Sequence, residues 1–451
     1  MLIEDTRLGP SAPRRIAVVG SGIAGLSAAW LLGQRHRVTL YEAEGRAGGH
    51  SNTVLAETPA GPVAVDTGFI VYNDRNYPNL TALFEHLRVK TQASDMSFAA
   101  SLDGGRVEYS STGLNGLVGQ PGNLLRPGYY LMLRDVLRFY REAPALLKRN
   151  DLNGLTLGEY LDAGGYADSF VEEHLLPMGA AIWSTTAREM RAYPLEAFVR
   201  FFASHGLLDL VKRPKWRTVT GGSREYVRAL LRTIADVRLS SSIEKIVRRQ
   251  GLVEIFDRLG RNDVFDGVVI ATHADQALGL LADPDEEERR TLGAFRYTDN
   301  LAVLHSDPAL MPRRKHVWAS WNYIGERDGD EDRQLCVTYW MNRLQSLDPA
   351  HPLFVTLNPS RPVAAGKLHQ AINYTHPLFD QRAIEAQRQL WRLQGVHNTW
   401  FAGSYFGHGF HEDALQSGLS AAELAGGVRR PWQVAGESDR ITLSPLPVAA
   451  E

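Results

Sequence analysis

The sequence is short of cysteine and of net charge. Cys336 is the single cysteine among 451 residues, which excludes an internal disulfide framework and fits a reducing, cytoplasmic setting. No cluster of cysteine and histidine has the spacing of zinc ligands, so no metal site is predicted. Lys and Arg number 49 against 51 Asp and Glu, a net charge of −2. A nucleic-acid partner is not expected, because binding along a phosphate backbone needs a strong basic excess.

Long apolar runs are also missing. The longest weakly polar stretch, residues 16–33, is interrupted by glycine and serine, whereas a membrane span needs about 20 predominantly apolar residues. Residues 1–15 lack the apolar core of a secretory signal. Apolar residues make up 44% and charged residues 22%, which is typical of a folded globular chain. The length predicts about two or three domains.

A strand–helix–strand unit follows the N-terminal segment. The apolar run Ile16–Val19 is typical of a buried parallel strand, and the Ala- and Leu-rich residues Leu26–Leu32 predict a helix that begins near Gly22. Val38–Tyr41 predicts a second strand, which ends at Glu42. The length of the crossover suits a parallel pair.

The turn in this unit has the spacing of a dinucleotide-binding site. Gly20, Gly22 and Gly25 form G-x-G-x-x-G between strand and helix, and Glu42 follows at the distance expected for a ribose-binding acid. Gly20 permits the tight turn, Gly22 the approach of a pyrophosphate to the helix N-terminus, and Gly25 close packing of helix on strand. The charge of Glu42 would repel a 2′-phosphate. The motif therefore predicts an adenine dinucleotide other than NADP; the alternative is a plain glycine turn.

Two later segments predict further strands of the same sheet, Phe265–Thr272 and Thr399–Gly403, and a helix follows at Asp413–Leu424. The predicted fold class is α/β, with a Rossmann-like nucleotide-binding domain interleaved with an α+β substrate domain. The predicted boundaries are 1–100, 219–280 and 395–430 for the first domain, 101–218 and 281–394 for the second, and 431–451 for a loose C-terminal tail.

Four motifs, in the right order, resemble the flavin amine oxidase superfamily, which includes monoamine oxidases, phytoene desaturases and protoporphyrinogen oxidases. Glu42–His50 resembles its E-A-x-x-x-x-G-G-R segment, and Asp66–Phe69 resembles the turn beside the flavin. Ile243 falls where the family pairs its backbone with adenine. Phe401–Gly403 and Asp413–Gly418 resemble the closing motif, whose helix points its N-terminus at the flavin.

This resemblance implies FAD as the cofactor and a GR2-type FAD-binding domain. The FAD-binding residues that it implies are Gly20, Gly22, Ile23, Ala24, Gly25, Glu42, Ala43, Gly48, Gly49, His50, Gly68, Phe69, Ile243, Gly403, Ser404, Asp413, Ala414 and Leu415. His50 stands where most of the superfamily has an arginine on the pyrophosphate, so its hydrogen bond is expected to be weaker and pH-dependent.

The features of an ordinary amine oxidase are incomplete. The strand that matches that of the family's flavin-side lysine, Thr298–His305, contains no lysine, and Phe410 stands at a position of the aromatic cage. Lys315 is one candidate substitute; the alternative is a solvated loop residue. These departures argue against amine oxidation, which is kept as an alternative function.

A closer resemblance is to a bacterial group of flavin amine oxidase-like proteins. It rests on residues 68–80, 180–186, 317–323, 337–345, 355–359 and 407–418. Members of this group tend to be associated with cyclopropane-fatty-acid-synthase-like lipid methyltransferases, and the group resembles flavin-dependent fatty-acid isomerases and desaturases. The resemblance implies an unsaturated or methyl-branched fatty acyl or phospholipid substrate, hydride transfer to flavin N5, and a lipid methyltransferase partner. A non-catalytic FAD-binding partner of that methyltransferase is a further alternative.

Two stretches combine basic and aromatic residues, 124–149 and 198–217. In the first, Arg134, Arg138 and Arg141 share one helical face. This pattern predicts peripheral docking at the inner face of a membrane; the alternative is ordinary helices with a solvated cationic face.

An apolar substrate site is expected from aromatic residues, with a general base close to the flavin-facing helix. His411 and Glu412 are the candidates for catalysis, with Phe410 beside them; the alternative for Glu412 and Asp413 is helix capping. The expected aromatic lining, for which core packing is the alternative, is Phe69, Trp183, Trp318, Trp321, Tyr339, Trp340 and Phe410.

Overall fold

A computed structural model describes most of the chain. The described residues are 12–149, 152, 154–183, 186–209, 214–326, 336–426 and 428–443. The strands are β1 Arg15–Val19, β2 Arg37–Tyr41, β3 Thr53–Thr58, β4 Gly61–Asp66, β5 Tyr72–Asn73, β6 Thr91–Ala93, β7 Phe98–Leu102, β8 Val107–Ser110, β9 Trp216–Val219, β10 Asp236–Arg238, β11 Ile243–Arg249, β12 Leu252–Asp257, β13 Asn262–Phe265, β14 Gly267–Ile270, β15 Arg296–His305, β16 Trp321–Gly325, β17 Val337–Trp340, β18 Phe354–Leu357, β19 Leu368–Leu378 and β20 Thr399–Phe401.

The helices are concentrated between β8 and β9 and at the C-terminus. A π-helical turn, Val171–Leu175, links α6 to α7, and short 3-10 turns include Pro121–Leu125 and Ser404–Phe406. The α-helices are α1 Ile23–Leu32, α2 Pro78–His86, α3 Gly113–Val118, α4 Pro127–Leu146, α5 Leu157–Ala163, α6 Asp168–Phe170, α7 Leu176–Trp183, α8 Ala187–Arg191, α9 Leu195–Ser204, α10 Arg224–Leu231, α11 Ala274–Leu280, α12 Glu286–Leu292, α13 Met341–Leu344, α14 Gln381–Gln387 and α15 His411–Gly426.

A five-stranded parallel sheet carries the nucleotide-binding motif. Its order is β10-β2-β1-β14-β20, with β1 in the middle, paired to β2 and β14. Helices α1 and α15 pack together so closely that a Cβ on Gly418 would lie 2.2 Å from the carbonyl oxygen of Ala24. The mixed α/β class is confirmed.

One strand prediction needs correction, and one strand was not predicted. The run predicted as one strand over Phe265–Thr272 is divided, because Phe265 ends β13 in an antiparallel meander, paired with Val253, whereas Gly267 starts β14 in the parallel sheet. The edge strand β10 was not predicted, since its three residues, Asp236–Arg238, carry no apolar run.

A second, seven-stranded sheet has the order β19-β15-β18-β17-β16-β7-β8. Helices α4, α6, α7 and α9 enclose an aromatic core that includes the fully buried Phe139, Phe170, Phe198 and Phe202. The sheet takes five strands from residues 296–378 and two from residues 98–110. The division into two domains stays a prediction.

The C-terminal segment is not a loose tail over its described part. Trp432 stacks on Trp30 of α1, with ring centroids 5.7 Å apart, and Arg440 pairs with Asp413 at 3.3 Å. Residues 444–451 lie outside the described residues. Within the described part of the chain, no helix is both long and apolar enough to cross a membrane.

Candidate cofactor and substrate site

The turn between β1 and α1 has the close contacts that only glycine allows. Gly20 has a φ of +99°, and a Cβ there would lie 2.6 Å from the carbonyl oxygen of Ala271. A Cβ on Gly25 would lie 1.9 Å from the carbonyl oxygen of Gly20. Gly25 is therefore a packing residue between helix and strand, as its position in the motif predicts.

The loop leaves its phosphate-binding side open. Gly22 precedes the first turn of α1, and a Cβ added there would meet no atom within 4 Å. Glu42 stands beside this loop at the end of β2, where its carboxylate accepts hydrogen bonds from the backbone N–H of Ser21 at 3.0 Å and of Glu44 at 2.9 Å. Glu42 thus also fixes the loop, a role that the motif alone did not indicate.

One cavity of about 1430 Å³ extends from this loop to the helical region. It is larger than the usual range for a single small ligand, about 300–1,000 Å³. Seventeen of the residues predicted to bind cofactor or act in catalysis line it: Gly20, Gly22, Ile23, Ala24, Glu42, Ala43, Gly48, Gly49, His50, Gly68, Phe69, Ile243, Gly403, Ser404, Phe410, His411 and Ala414.

Four predicted residues do not line the cavity: Gly25, Glu412, Asp413 and Leu415. Gly25 and Leu415 are packing residues, and Leu415 is fully buried. Asp413 accepts a hydrogen bond from the backbone N–H of Phe410 at 2.8 Å, so it caps the first turn of α15. Its role in binding FAD stays a prediction.

Glu412 is a buried capping residue of a different helix. Its carboxylate accepts hydrogen bonds from the backbone N–H groups of Asn79 and Leu80, both at 3.0 Å, in the first turn of α2. Burial raises the pKa of this carboxyl group. Because the side chain is fully buried and directed away from the cavity, the structure does not support Glu412 as a general base.

His411 lines the cavity as the first residue of α15. Its Nε2 atom lies 2.9 Å from the hydroxyl groups of both Ser51 and Tyr226, and its ring stacks on Phe69. Burial lowers the pKa of His411 to about 3, far from the value near 7 that suits a general base. The geometry therefore favours a neutral His411 that fixes the N-terminus of α15 over a proton acceptor.

His50 tests whether this site fits FAD. Its ring stacks on Tyr374 with centroids 4.9 Å apart, and its Nε2 atom is buried without a hydrogen-bond partner. Burial lowers the pKa of His50 well below its usual value, so the ring is neutral and still donates from one nitrogen. His50 lines the same cavity as the open Gly22 loop, and a neutral imidazole that keeps one N–H donor beside such a loop fits the phosphates of FAD.

The other end of the cavity is an apolar arm. Rings connect it to α15: Phe410 stacks on Phe201 at 4.9 Å, and Phe201 contacts Trp183 at 4.7 Å. We use the name apolar arm for the part lined by Tyr109, Leu117, Val136, Tyr140, His174, Met178, Ile182, Trp183, Phe201, His205, His408 and Phe410.

Five of the seven aromatic residues that were expected around a substrate line the cavity, and two do not. Phe69, Trp183, Trp321, Tyr339 and Phe410 line the cavity. Trp318 and Trp340 do not: they pack edge-to-face at 5.5 Å, and the Trp318 indole N–H donates to the Pro312 carbonyl oxygen at 2.7 Å. The sequence alone does not distinguish the aromatic residues that line the cavity from those that pack elsewhere, because both groups come from aromatic-rich strands and loops.

His174 is a residue that the sequence analysis missed. It lies within the π-helical turn Val171–Leu175, a feature often found at functional sites, and its Nδ1 atom lies 3.0 Å from the hydroxyl of Tyr109. Tyr140 lies on its other side at 3.4 Å. No motif surrounds His174, so only the packing of α4 and the π-helical turn against β8 identifies it.

The lysine of the amine site is not supplied from elsewhere in the described residues. Strand β15 contains none, and Lys315 lies outside the cavity, with its ammonium group 5.9 Å from the Trp318 ring. Among the described lysines only Lys215 lines the cavity, and it is exposed. Lys315 is thus not a substitute for the family's lysine.

Comparison with known proteins agrees with the motifs. The model of the flavin containing amine oxidoreductase family matches residues 23–309, more than half of the chain. The chain therefore belongs to this family, whose members bind FAD, and it is an FAD-dependent oxidoreductase.

One related sequence and two solved structures indicate how far this likeness extends. An L-amino-acid oxidase from Bungarus fasciatus is 59% identical over 48 residues, which are 10% of this chain and only 9% of that protein. A CLA-producing fatty acid isomerase from P. acnes is 17% identical with a TM-score of 0.63, over 92% of this chain and 98% of that one. Cyclohexylamine oxidase from Brevibacterium oxydans is 13% identical with a TM-score of 0.66, over 92% and 99%. At such identities the structures show the fold alone.

Proposed function

We propose that this protein acts on unsaturated or methyl-branched fatty acyl chains, as a desaturase or as a double-bond isomerase. The observation that supports this most directly is the apolar arm, which leads from the N-terminus of α15 past Phe410, Phe201 and Trp183 to α4. An acyl chain is long, flexible and uncharged, and it gains free energy by leaving water for such a surface.

The arm lacks charge for a polar substrate. Its ionisable residues include His174, His205 and His408, and burial lowers the pKa of each, that of His174 to about 4. These rings are therefore neutral near pH 7. The twelve residues that define the arm include no carboxylate, lysine or arginine, although Asp95, Lys215 and Arg217 line the same cavity. An amino acid or a diamine would leave its distal charge without a partner among these twelve residues.

The reaction needs little from the arm besides shape and exclusion of water. FAD, when bound, supplies the acceptor for a hydride from a substrate carbon. In a desaturation, the adjacent carbon would also lose a proton, for which the neutral imidazoles of the arm are the available acceptors, and the double bond would form between the two carbons. In an isomerisation, the hydride would return to another carbon and no base would be needed. Phe410 and Phe201 would hold the chain against α15, while the neutral His411 keeps that helix end in place.

Anaerobic mixing of the FAD-loaded protein with fatty acids, phospholipids and amines tests this proposal. We expect flavin bleaching or altered lipid products with the acyl substrates, measured by absorbance and by mass spectrometry of the products. An isomerase returns its hydride, so product analysis is needed even without bleaching. Bleaching by amines alone would overturn the proposal, and bound FAD without turnover of any substrate would favour a non-catalytic partner.

A second protein is part of this proposal. A lipid methyltransferase that acts on the same chains is the proposed partner, on the basis of the sequence resemblance alone. Co-purification from cells that express both proteins, with the catalytic assay repeated on the complex, tests it.

A further inference from the structure

Exposed apolar side chains are concentrated on one surface beside the apolar arm. Seventeen large apolar residues are exposed among the described residues, and seven of them fall within residues 114–137. We call these seven the leucine patch: Leu114, Leu117, Leu124, Leu125, Tyr130, Leu131 and Leu137. Leu114 and Leu125 are 81% and 87% exposed, and it is the grouping of seven such residues, more than the exposure of any one, that indicates an interaction surface.

The exposed face of α4 carries basic residues between these apolar ones. Tyr130, Leu131, Arg134, Leu137 and Arg141 are exposed at helical spacing. Both acidic residues of α4 pair with arginines of this face, the fully buried Asp135 with Arg134 at 2.8 Å and the half-buried Glu142 with Arg141 at 3.3 Å, so these two arginines are exposed but partly neutralised. Arg138, predicted to share the basic face, is half-buried and donates to the Gly164 carbonyl oxygen at 3.0 Å. The face is thus apolar with a cationic component.

The second basic-aromatic stretch does not form a comparable surface. Phe198 and Phe202 are fully buried in the core, and Arg200 pairs with Glu196. Residues 210–213 lie outside the described residues. Among the described residues of the two predicted stretches, large exposed apolar side chains occur in the first alone.

The leucine patch adjoins the mouth of the cavity. Leu117 is 36% exposed and also lines the cavity, so it lies where the arm meets solvent. Val136 and Tyr140 line the arm from α4, whose outer face carries Leu131 and Leu137. Helices α3 and α4 and the 3-10 turn between them therefore form both a wall of the arm and the exposed patch.

We propose that the leucine patch docks on the surface of an anionic lipid bilayer and positions the mouth of the arm against the acyl region. Exposed leucines gain free energy by insertion at the level of the acyl chains, while Arg134, Arg141 and Lys148 contact anionic headgroups. The role of this docking in substrate uptake rests on the proposed acyl substrate. The docking itself can be measured in the absence of turnover.

Sedimentation of the FAD-loaded protein with vesicles tests the docking. The vesicles are phosphatidylcholine alone and phosphatidylcholine mixed with phosphatidylglycerol, at low and at physiological salt. We expect binding to the anionic vesicles, weakened by salt and weaker on the neutral ones. The variant L114S/L125S should lower partitioning at least about tenfold, since both side chains are exposed and their loss leaves the core intact.

Matched variants separate the patch from general effects. Leu259 is 74% exposed in the turn between β12 and β13, so Leu259→Ser should leave vesicle binding unchanged. Arg141→Gln combined with Lys148→Gln should lower binding to anionic vesicles and leave binding to neutral vesicles unchanged. Arg290→Gln, a change at an exposed arginine of α12, should alter neither.

Three results would overturn the docking: no sedimentation with anionic vesicles at low salt, equal losses in L259S and L114S/L125S, or a patch-dependent dimer that binds no vesicles. The last, detected by light scattering, would make a second copy of this chain the occupant. Turnover of fatty acids without vesicle binding would reject the docking alone, and vesicle binding without lipid chemistry would reject the proposed function alone.

Discussion

The imidazole ring of His411 lies parallel to the phenyl ring of Phe69, with centroids 3.8 Å apart and an angle of 9° between the planes. Phe69 belongs to the turn after β4, and His411 begins α15 near the other end of the chain. This contact holds the N-terminus of the last helix against the turn that lines the cofactor cavity. It also explains why His411 is buried and neutral.

Protonation of His411 should make the folded protein less stable in acid. Burial lowers the pKa of His411 to about 3, and the unfolded chain binds the proton near 6.5. Stability is therefore complete above about pH 6.5 and falls as the pH drops toward 3, by up to about 1.4 kcal/mol per pH unit for this one group. Burial also lowers the pKa values of His174 and His376 to about 4, so their protonation should further reduce stability in acid.

Urea unfolding between pH 7 and 4 measures this dependence. In His411→Gln the free energy of unfolding should fall less steeply with decreasing pH than in the wild type. The difference between the two slopes should correspond to the uptake of nearly one proton on unfolding. His397→Asn is the control, because His397 is exposed and asparagine tolerates its φ of +51°. Equal slopes in wild type and H411Q would contradict the assignment of a buried, neutral His411.

Alanine substitutions at Gly22 and at Gly25 should have different effects on folding and on FAD binding. Gly22→Ala adds a methyl group to open space, so the fold should persist at a cost below about 1 kcal/mol, while FAD binds at least about tenfold more weakly. Gly25→Ala places its methyl group on the Gly20 carbonyl oxygen and should prevent correct folding of the parallel sheet. Flavin absorbance, circular dichroism and urea unfolding separate these outcomes; loss of FAD with equal instability in both variants would argue against separate roles.

Removal of the Glu412 carboxylate should affect stability. Glu412→Ala leaves the backbone N–H groups of Asn79 and Leu80 buried without acceptors, and we expect a loss of about 2–4 kcal/mol in the free energy of unfolding. Glu385→Ala, at an exposed position of α14, should change it by less than about 0.5 kcal/mol. A fully stable E412A that binds FAD but has lost turnover would restore the catalytic interpretation.

A larger side chain in the apolar arm should block long substrates. Met178 lines the arm from α7 and is half-buried. Met178→Trp should lower kcat/KM for a long acyl substrate at least about tenfold and change it less for a short one, without loss of FAD. Met178→Leu, which conserves volume, is the control. Equal losses for short and long chains would place the substrate elsewhere.

The nucleotide-binding half of the site was predictable because its determinants are local. Gly20, Gly22, Gly25 and Glu42 lie within one strand–helix–strand unit, where the motif fixes the backbone and thereby the cavity wall. The position of His50 in the cavity wall was predictable for the same reason, although its burial against Tyr374 was not.

The sequence of the first turn of α15 did not show which neighbours its side chains contact. His411, Glu412 and Asp413 are consecutive, yet one faces the cavity, one caps α2 and one caps its own helix. Successive residues of a helix point in directions about 100° apart, and the neighbours that receive them come from distant parts of the chain.

The family, the cofactor and the parallel pairing of β1 with β2 follow from the local sequence, because glycine spacing and strand–helix alternation act over short distances. The folded structure was needed to identify the histidines that are buried and neutral and the carboxylates that serve as caps. It was also needed to place the leucines of residues 114–137 beside the mouth of the arm. Those properties depend on contacts between residues far apart in the chain, and such contacts set burial and pKa.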